Sequence, residues 1–468
     1  MDVPQQTDTV TPLPTRARAL ADALDGLVPV HLPGTAEHAA LAATVNLALA
    51  RRPALVAAPR TPREVAHVVR AAGEHGVPVA VQGTGHGASA GLDGAVLVST
   101  AALDHLTLLP ALGSAHLGAG VRWAQVVAAA APYGLAPVCG SAPGVGVVGY
   151  LTGGGHGPLA RTLGVSSDRV TAFDVVTGDG VLRRATPTDE PDLFWGLRGG
   201  RGALGVVVAA EIDLVDQPEL YAGAVWFADV DRVVQVWARW ATRLPAQATT
   251  SLAVMRLPAL PGVPEALAGR PTVAVRFAWT GDAASGARVL APLRAAAPVL
   301  VDTVDVMPYA AIGTVHGDPD EPMPTHESHL LLEDLGPEPV ERLVELVGAG
   351  SSCAQVVVEV RHLGGAASRQ PAVPDAVPSR AATWSLFTVG LAEPGTADAV
   401  AVAADTARIA RGLAPWTRPG GFPNFAAGHG RVWAERVYPA PTRSRLAELS
   451  RRYDPDGVLL AGHAFRTP

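Results

Sequence analysis

Apolar positions along this chain follow two rhythms, and the switches between them mark out the elements. Thr15 to Leu49 is rich in Ala and Leu at helical spacing and predicts a helical start. Pro62 to Gly73 has the same period, with Thr61 placed to cap it and Pro62 suited to a first turn that needs no amide donor. Val77 to Val81 is a short apolar run of strand type. From Ala119 to Leu214 short strands and Gly-rich turns continue, and Gly178-Asp179-Gly180 predicts a hairpin turn between Phe173–Val176 and Val181–Leu182. Between Pro218 and Ala414 the character changes. Helices at Asp229–Thr242 and Glu338–Leu346 alternate there with strands at Thr272–Trp279, Gln355–Arg361 and Thr383–Leu391. The mixture predicts an α+β fold.

Two glycine clusters interrupt these rhythms, and each carries a histidine. Val81 to Gly91 reads VQGTGHGASAG and holds His86; Gly144 to Gly157 reads GVGVVGYLTGGGHG and holds His156. Glycine admits positive φ and leaves backbone amides bare, so such loops suit a phosphate or a ring system. Neither cluster has the acidic residue that a dinucleotide fingerprint requires downstream, and neither is a P-loop, because the chain contains no lysine.

Composition narrows the class. A length of 468 residues predicts two or three domains, and a net charge of -7 gives no basic footprint for nucleic acid. Cys139 and Cys353 are too few for a disulfide framework and predict buried, reduced thiols. No signal-peptide pattern and no membrane-length apolar run is evident, so the expected location is cytoplasmic, without membrane partners.

Five segments carry a family resemblance: RRPALVAAPRTPREVAHVVRAA (Arg51 to Ala72), VQGTGHG, VGVVGYLTGGGHGPLARTLGVSSDRV (Val145 to Val170), DLFWGLRGGRGALGVVV (Asp192 to Val208) and RLAELSRRYDPDGVL (Arg445 to Leu459). In this order they resemble the berberine-bridge-enzyme-like FAD-linked oxidases, within the PCMH-type or vanillyl-alcohol-oxidase superfamily. The resemblance implies a two-lobed FAD-binding domain over residues 1–217, a substrate domain with an antiparallel sheet backed by helices over 218–414, and a return to the FAD domain over 415–468.

It also implies roles. His86 matches the histidine that bonds covalently to the flavin ring. The second, cysteinyl tether of many relatives falls on Ala142, and Cys139 lies three residues too early, so a single link is expected. Val145 sits where a compact side chain goes with oxidases. Gln82, Gly83, Thr84, Gly85 and Gly87 surround the tether; Gly146, Gly149, Asp168, Gly205 and Val206 match positions near the cofactor. Thr152, Gly153, Gly154 and Gly155 should contact its pyrophosphate and ribityl chain through backbone amides, and Asn424 should hydrogen-bond nearby.

The proton acceptor is the open point. Relatives often show Tyr-x-Asn where this chain reads GGFPNF, which places Phe422 at the tyrosine, and a phenyl ring takes no proton. His156, with an imidazole near neutrality, is a candidate base. So are side chains of the middle domain: alternation in QVVVEVRHL puts Glu359 and Arg361 on one strand face, and Tyr309 is a candidate pocket residue. His316, His326 and His329 lack metal-ligand spacing, and no metal is expected. The expected activity is an FAD-dependent oxidase that takes hydride from a small-molecule alcohol, amine or carbocycle and reduces O2 to hydrogen peroxide, with natural-product tailoring as a candidate role. The alternatives are a flavin protein with non-redox cyclisation or lost activity, and a sugar or lactone dehydrogenase using another acceptor.

Overall fold

The computed structural model describes residues 13–259 and 262–466. Parallel strands Leu55–Ala57, Val96–Ser99 and Val79–Gln82 form a small sheet, edged by the antiparallel strand Val30–His31. The helix Pro62–His75 connects the first of these to Val79–Gln82, burying Val65, Val68, Val69 and Ala72. Its ends follow from local chemistry: the Thr61 hydroxyl accepts the Glu64 amide, and Gly76 closes the helix at φ +62. Val79–Gln82 then delivers the first glycine loop at a strand's carboxyl end, the usual place for a ligand beside a parallel sheet.

A second sheet is antiparallel, in the order Leu106–Leu109, Ser114–Gly118, Val206–Asp213, Val170–Val176, Leu182–Ala185. The expected hairpin forms: Gly180 donates to the Thr177 carbonyl at 2.8 Å, and the Asp179 carboxylate takes the Thr177 hydroxyl and the Val181 amide. Both sheets share one hydrophobic core with the C-terminal helices Gly430–Val437 and Ala440–Tyr453.

The middle of the chain builds a larger antiparallel sheet, with Glu219–Phe227, Thr272–Trp279, Ala248–Met255, Val357–His362, Trp384–Leu391 and Thr325–Leu332 side by side. One face, including Val275, Leu252, Val358, Val360 and Leu386, packs under helices Val230–Ala241, Pro337–Val347 and Ala397–Leu413 in a second core. The other face carries Ser251, Arg276, Glu359 and Arg361 and is buried although polar. Covering it are the glycine-rich segment around His156 and the 3₁₀ stretch Tyr309–Val315.

Local patterning misleads in two places. Thr15–Leu49 is not one helix: Thr15–Leu24 and Ala36–Ala42 are helical, while Gly26 at φ +70, Pro29 and Pro33 break the run and free Val30–His31 for the sheet. Val147–Thr152 is a helix in spite of Gly149, because Val147, Val148, Tyr150 and Leu151 bury their side chains.

Candidate functional site

A cavity of about 530 Å³ opens where the first glycine loop, the helix Val147–Thr152, the turn Gly200–Gly205 and the C-terminal segments meet. That is within the roughly 300–1,000 Å³ common for small-ligand sites. Gly83, Thr84, Gly85, His86 and Gly87 form one wall. Gly85 sits at φ +78, and a Cβ there would lie 3.1 Å from the Ala43 carbonyl oxygen and the Thr44 Cα, so only glycine fits without strain. Among the described residues the amides of Thr84, Gly85, His86 and Gly87 donate to no protein acceptor. Backbone amides are seldom left unpaired away from water, and a run of them makes an anion-binding nest.

The loop's shape is fixed from behind. Gln82 gives its amide nitrogen to the Leu41 and Ala43 carbonyls at 3.0 and 2.8 Å and takes an Arg51 N–H on its oxygen. Thr84 Oγ1 accepts the Gly146 amide at 3.1 Å and lies 2.9 Å from His86 Nδ1, which joins the two glycine clusters. Burial first, then Arg122, lowers the His86 pKa against the opposing pull of Asp320, so the imidazole is held neutral. A neutral ring nitrogen at a cavity wall is a competent nucleophile.

Val145, Gly146, Gly149, Thr152, Gly205 and Asn424 line it as well. Asn424 accepts the Gly155 amide at 2.9 Å and donates to the Tyr150 carbonyl at 3.1 Å. Gly153, Gly154 and Gly155, expected to offer amides to a cofactor, do otherwise. Their amides go to Tyr150, Leu151 and Asn424, and a Cβ on each would strike Asn424, Val377 or Tyr150, so these glycines serve close packing. Asp168 also turns away from the cavity: Arg380 pairs with it at 2.6 Å, and the Val165 amide caps it at 3.1 Å. Val206 is fully buried in the core, and its neighbour Val207 lines the cavity instead.

The candidate proton acceptors fare differently from expectation. Tyr309 does not line the cavity; its hydroxyl donates to the Pro137 carbonyl and meets Cys139 Sγ at 3.4 Å inside the first core. Cys139 is thereby occupied too, with its thiol pushed up to about 11 by burial. His156 does line the cavity and rests 4.6 Å from the Phe422 ring. Burial, then Arg361, Arg380 and His329, pushes its pKa down to about 3, so the expected near-neutral base is a permanently neutral imidazole. Glu359 and Arg361 do share a face. Glu359 is enclosed by Arg361, Arg276 and Ser251, and Arg361, Arg276 and His316 hold it ionised against burial.

Arg51 and Arg201 also line the cavity, and sequence motifs alone single out neither. Arg201 lies in RGGRG at φ +56, donates to the Gly87 carbonyl at 2.8 Å and sits 5.6 Å over the Trp433 ring. Burial lowers the pKa of both guanidiniums, and neither pairs with a carboxylate among the described residues. For Arg201 the available signal was an arginine flanked by glycines in RGGRG. The buried Tyr150 hydroxyl is a further lining group. No group of His, Cys, Asp or Glu among the described residues could hold a metal, and no described helix is long and apolar enough to cross a membrane.

Comparison with known proteins finds similarity over part of the chain in sequence and over nearly all of it in fold. Residues 53–186 match the FAD binding domain. An FAD-dependent monooxygenase of Fusarium proliferatum is 34% identical over 181 residues, 38% of this chain and 35% of its own length. (R)-6-hydroxynicotine oxidase of Paenarthrobacter nicotinovorans is 28% identical over 276 residues, 57% of this chain and 58% of its own. The chain thus aligns with less than two thirds of either relative. Among solved structures, 6-hydroxy-D-nicotine oxidase from Arthrobacter nicotinovorans superposes with a TM-score of 0.81 at 21% identity, over 94% of this chain and 97% of that one. The carbohydrate oxidase from Microdochium nivale gives 0.81 at 19% identity, over 97% and 99%. At such identities the likeness shows the fold.

Proposed function

The chain carries an FAD binding domain and has the fold of the BBE-like and PCMH-type FAD oxidases; from that premise we propose that it is an FAD-dependent oxidase of a small organic molecule. The observation that carries the reading is the cavity wall itself: amides from Thr84 to Gly87 that meet no acceptor among the described residues, beside the guanidiniums of Arg51 and Arg201, which meet no carboxylate there. These groups fit the pyrophosphate of a dinucleotide, whose charge they would offset.

His86 is the proposed tether of the ring, and its lowered pKa, which keeps the imidazole neutral as a nucleophile must be, supports that reading. No cysteinyl link is expected, since Cys139 is committed to Tyr309. Bound flavin would supply hydride acceptance from a substrate C–H bond and return of the electrons to O2. Val145, compact and at the cavity wall, leaves room for O2 in this reading. Asn424 braces the second glycine cluster through the Gly155 amide and the Tyr150 carbonyl, and His156 takes no proton near pH 7 because of its burial. The same lack of a ready base favours a second reading, a flavin protein with non-redox or lost activity. A role in natural-product tailoring is supported by likeness to FAD-dependent monooxygenases and a nicotine-derivative oxidase.

Purified protein should be yellow, bleach anaerobically with a substrate and recolour in air with release of hydrogen peroxide. Acid-precipitated protein should stay yellow, and His86→Ala should shed its flavin into the supernatant. Colourless protein sinks the assignment, and a flavin that no candidate substrate bleaches leaves the second reading standing.

A further inference from the structure

At the junction between the two halves, positive charge is left without a counterion. A side cavity of about 30 Å³, which shares His156 with the large one, is walled by Arg161, Arg276 and Arg361. Among the described residues Glu359 is the one carboxylate that pairs with any of these three; Asp318 acts on Arg361 from farther off. The neighbouring imidazoles add no negative charge, and burial keeps His156, His316 and His362 neutral. Three guanidiniums therefore face one carboxylate where little water reaches, an arrangement that strongly favours taking up an anion.

The donors are unequally used. Arg161 gives its N–H groups to the Ala248, Leu244 and Leu363 carbonyls. Arg276 serves Glu359 at 2.8 Å and the His316 carbonyl at 3.4 Å. Arg361 places Nε and Nη2 on a single oxygen of Glu359, at 2.8 and 2.7 Å, and its Nη1 meets no protein acceptor among the described residues. The same guanidinium lies 4.5 Å over the ring of Phe425, which lines the large cavity. Arg361 thus stands at the boundary of the two cavities with donor capacity to spare.

We propose that the substrate is an organic acid whose carboxylate is received by Arg361 at this junction, the rest of the molecule lying in the large cavity. The inference rests on the flavin reading above and names the substrate class within it. A carboxylate there supplies the missing counter-charge, and the aromatic face of Phe425 keeps water from competing for the bond. Asp320 beside His86 makes a cationic amine the natural rival.

The test uses the purified holoenzyme and the absorbance of its own flavin. Benzoate and phenylacetate are titrated against benzamide, phenylacetamide and benzylamine. The acids should perturb the flavin band and bind at least about tenfold more tightly than their amides, the size expected of a hydrogen bond to a charged group. Arg361→Gln should abolish that preference, and Arg361→Lys should keep part of it. Equal binding of acids and amides, preference for the amine, silence of every probe, or an acid preference that survives Arg361→Gln overturns the proposal. If Arg361→Gln does not fold, the acid-to-amide comparison on wild type and Arg361→Lys decides. A preparation without flavin counts against the flavin reading itself and is seen before any titration.

Discussion

Replacing Glu359 by Gln asks whether the polar face of the large sheet is held together by charge. Glu359 is 3% exposed. Its carboxylate takes the Ser251 hydroxyl at 2.7 Å, Arg276 Nη1 at 2.8 Å, and Arg361 Nε and Nη2 at 2.8 and 2.7 Å. A glutamine keeps one oxygen for Ser251 and Arg276 but turns an N–H₂ group toward the two donors of Arg361. The charge-assisted bond from Nε, worth about 1.5–3 kcal/mol, is lost together with the close Nη2 contact to the same oxygen. Both guanidiniums then stay buried without a counterion, so the total loss should fall near 3–5 kcal/mol, the range for breaking one side of a buried pair. Urea denaturation at pH 7 reads this as a lower midpoint for the unfolding of the second core. The pH dependence has a fixed sign. Burial opposes ionisation, but Arg361, Arg276 and His316 overcome it and hold the folded carboxyl well below the ordinary value of 4.5. Its contribution is complete above that value and fades as pH falls through the folded pKa, so the gap between wild type and variant should narrow in acid. A loss under about 1 kcal/mol, as for an exposed pair, or a gap that stays constant in acid, refutes the reasoning.

Two other outcomes follow from the same electrostatics. In a His86→Ala background, where FAD can exchange, Arg201→Gln should weaken FAD binding by at least about tenfold, since it removes a charge-assisted contact; fluorescence titration with FAD measures this, and unchanged affinity would mean that Arg201 only braces the Gly87 loop. His156 and His329 are each pushed down to about 3 by burial. The unfolded chain therefore binds more protons below about 6.5, and stability should fall between there and about pH 3 by up to about 1.4 kcal/mol per pH unit for each. His329→Phe should reduce that slope in urea midpoints measured against pH, and an unaltered slope would show that His329 does not carry it.

What could be read from the sequence was what depends on near neighbours in the chain. Thr61 and Pro62 start a helix by capping chemistry alone, although it runs past Gly73 to a Gly76 cap, and Gly178-Asp179-Gly180 makes its hairpin through bonds that span only a few residues. The glycine loop around His86 was legible because its four glycines admit positive φ, which Gly85 takes, and leave backbone amides bare. Alternation along Val357–His362 puts Glu359 and Arg361 on one face by the two-residue period of a strand.

What the sequence could not say depended on which distant groups meet. Gly153 to Gly155 look like a cradle, yet Asn424 and Val377, more than two hundred residues away, fill the space beside them. Tyr309 looks available until Pro137 and Cys139 close on it, and His156 looks like a base until two other guanidinium-bearing segments and a buried imidazole gather round it. Local patterning determined the elements and the loop that shapes the cavity, because helix caps, turns and strand alternation are short-range. Tertiary structure alone decided charge state, accessibility and partners, because desolvation and Coulomb interactions act through space on residues that the chain's order keeps apart.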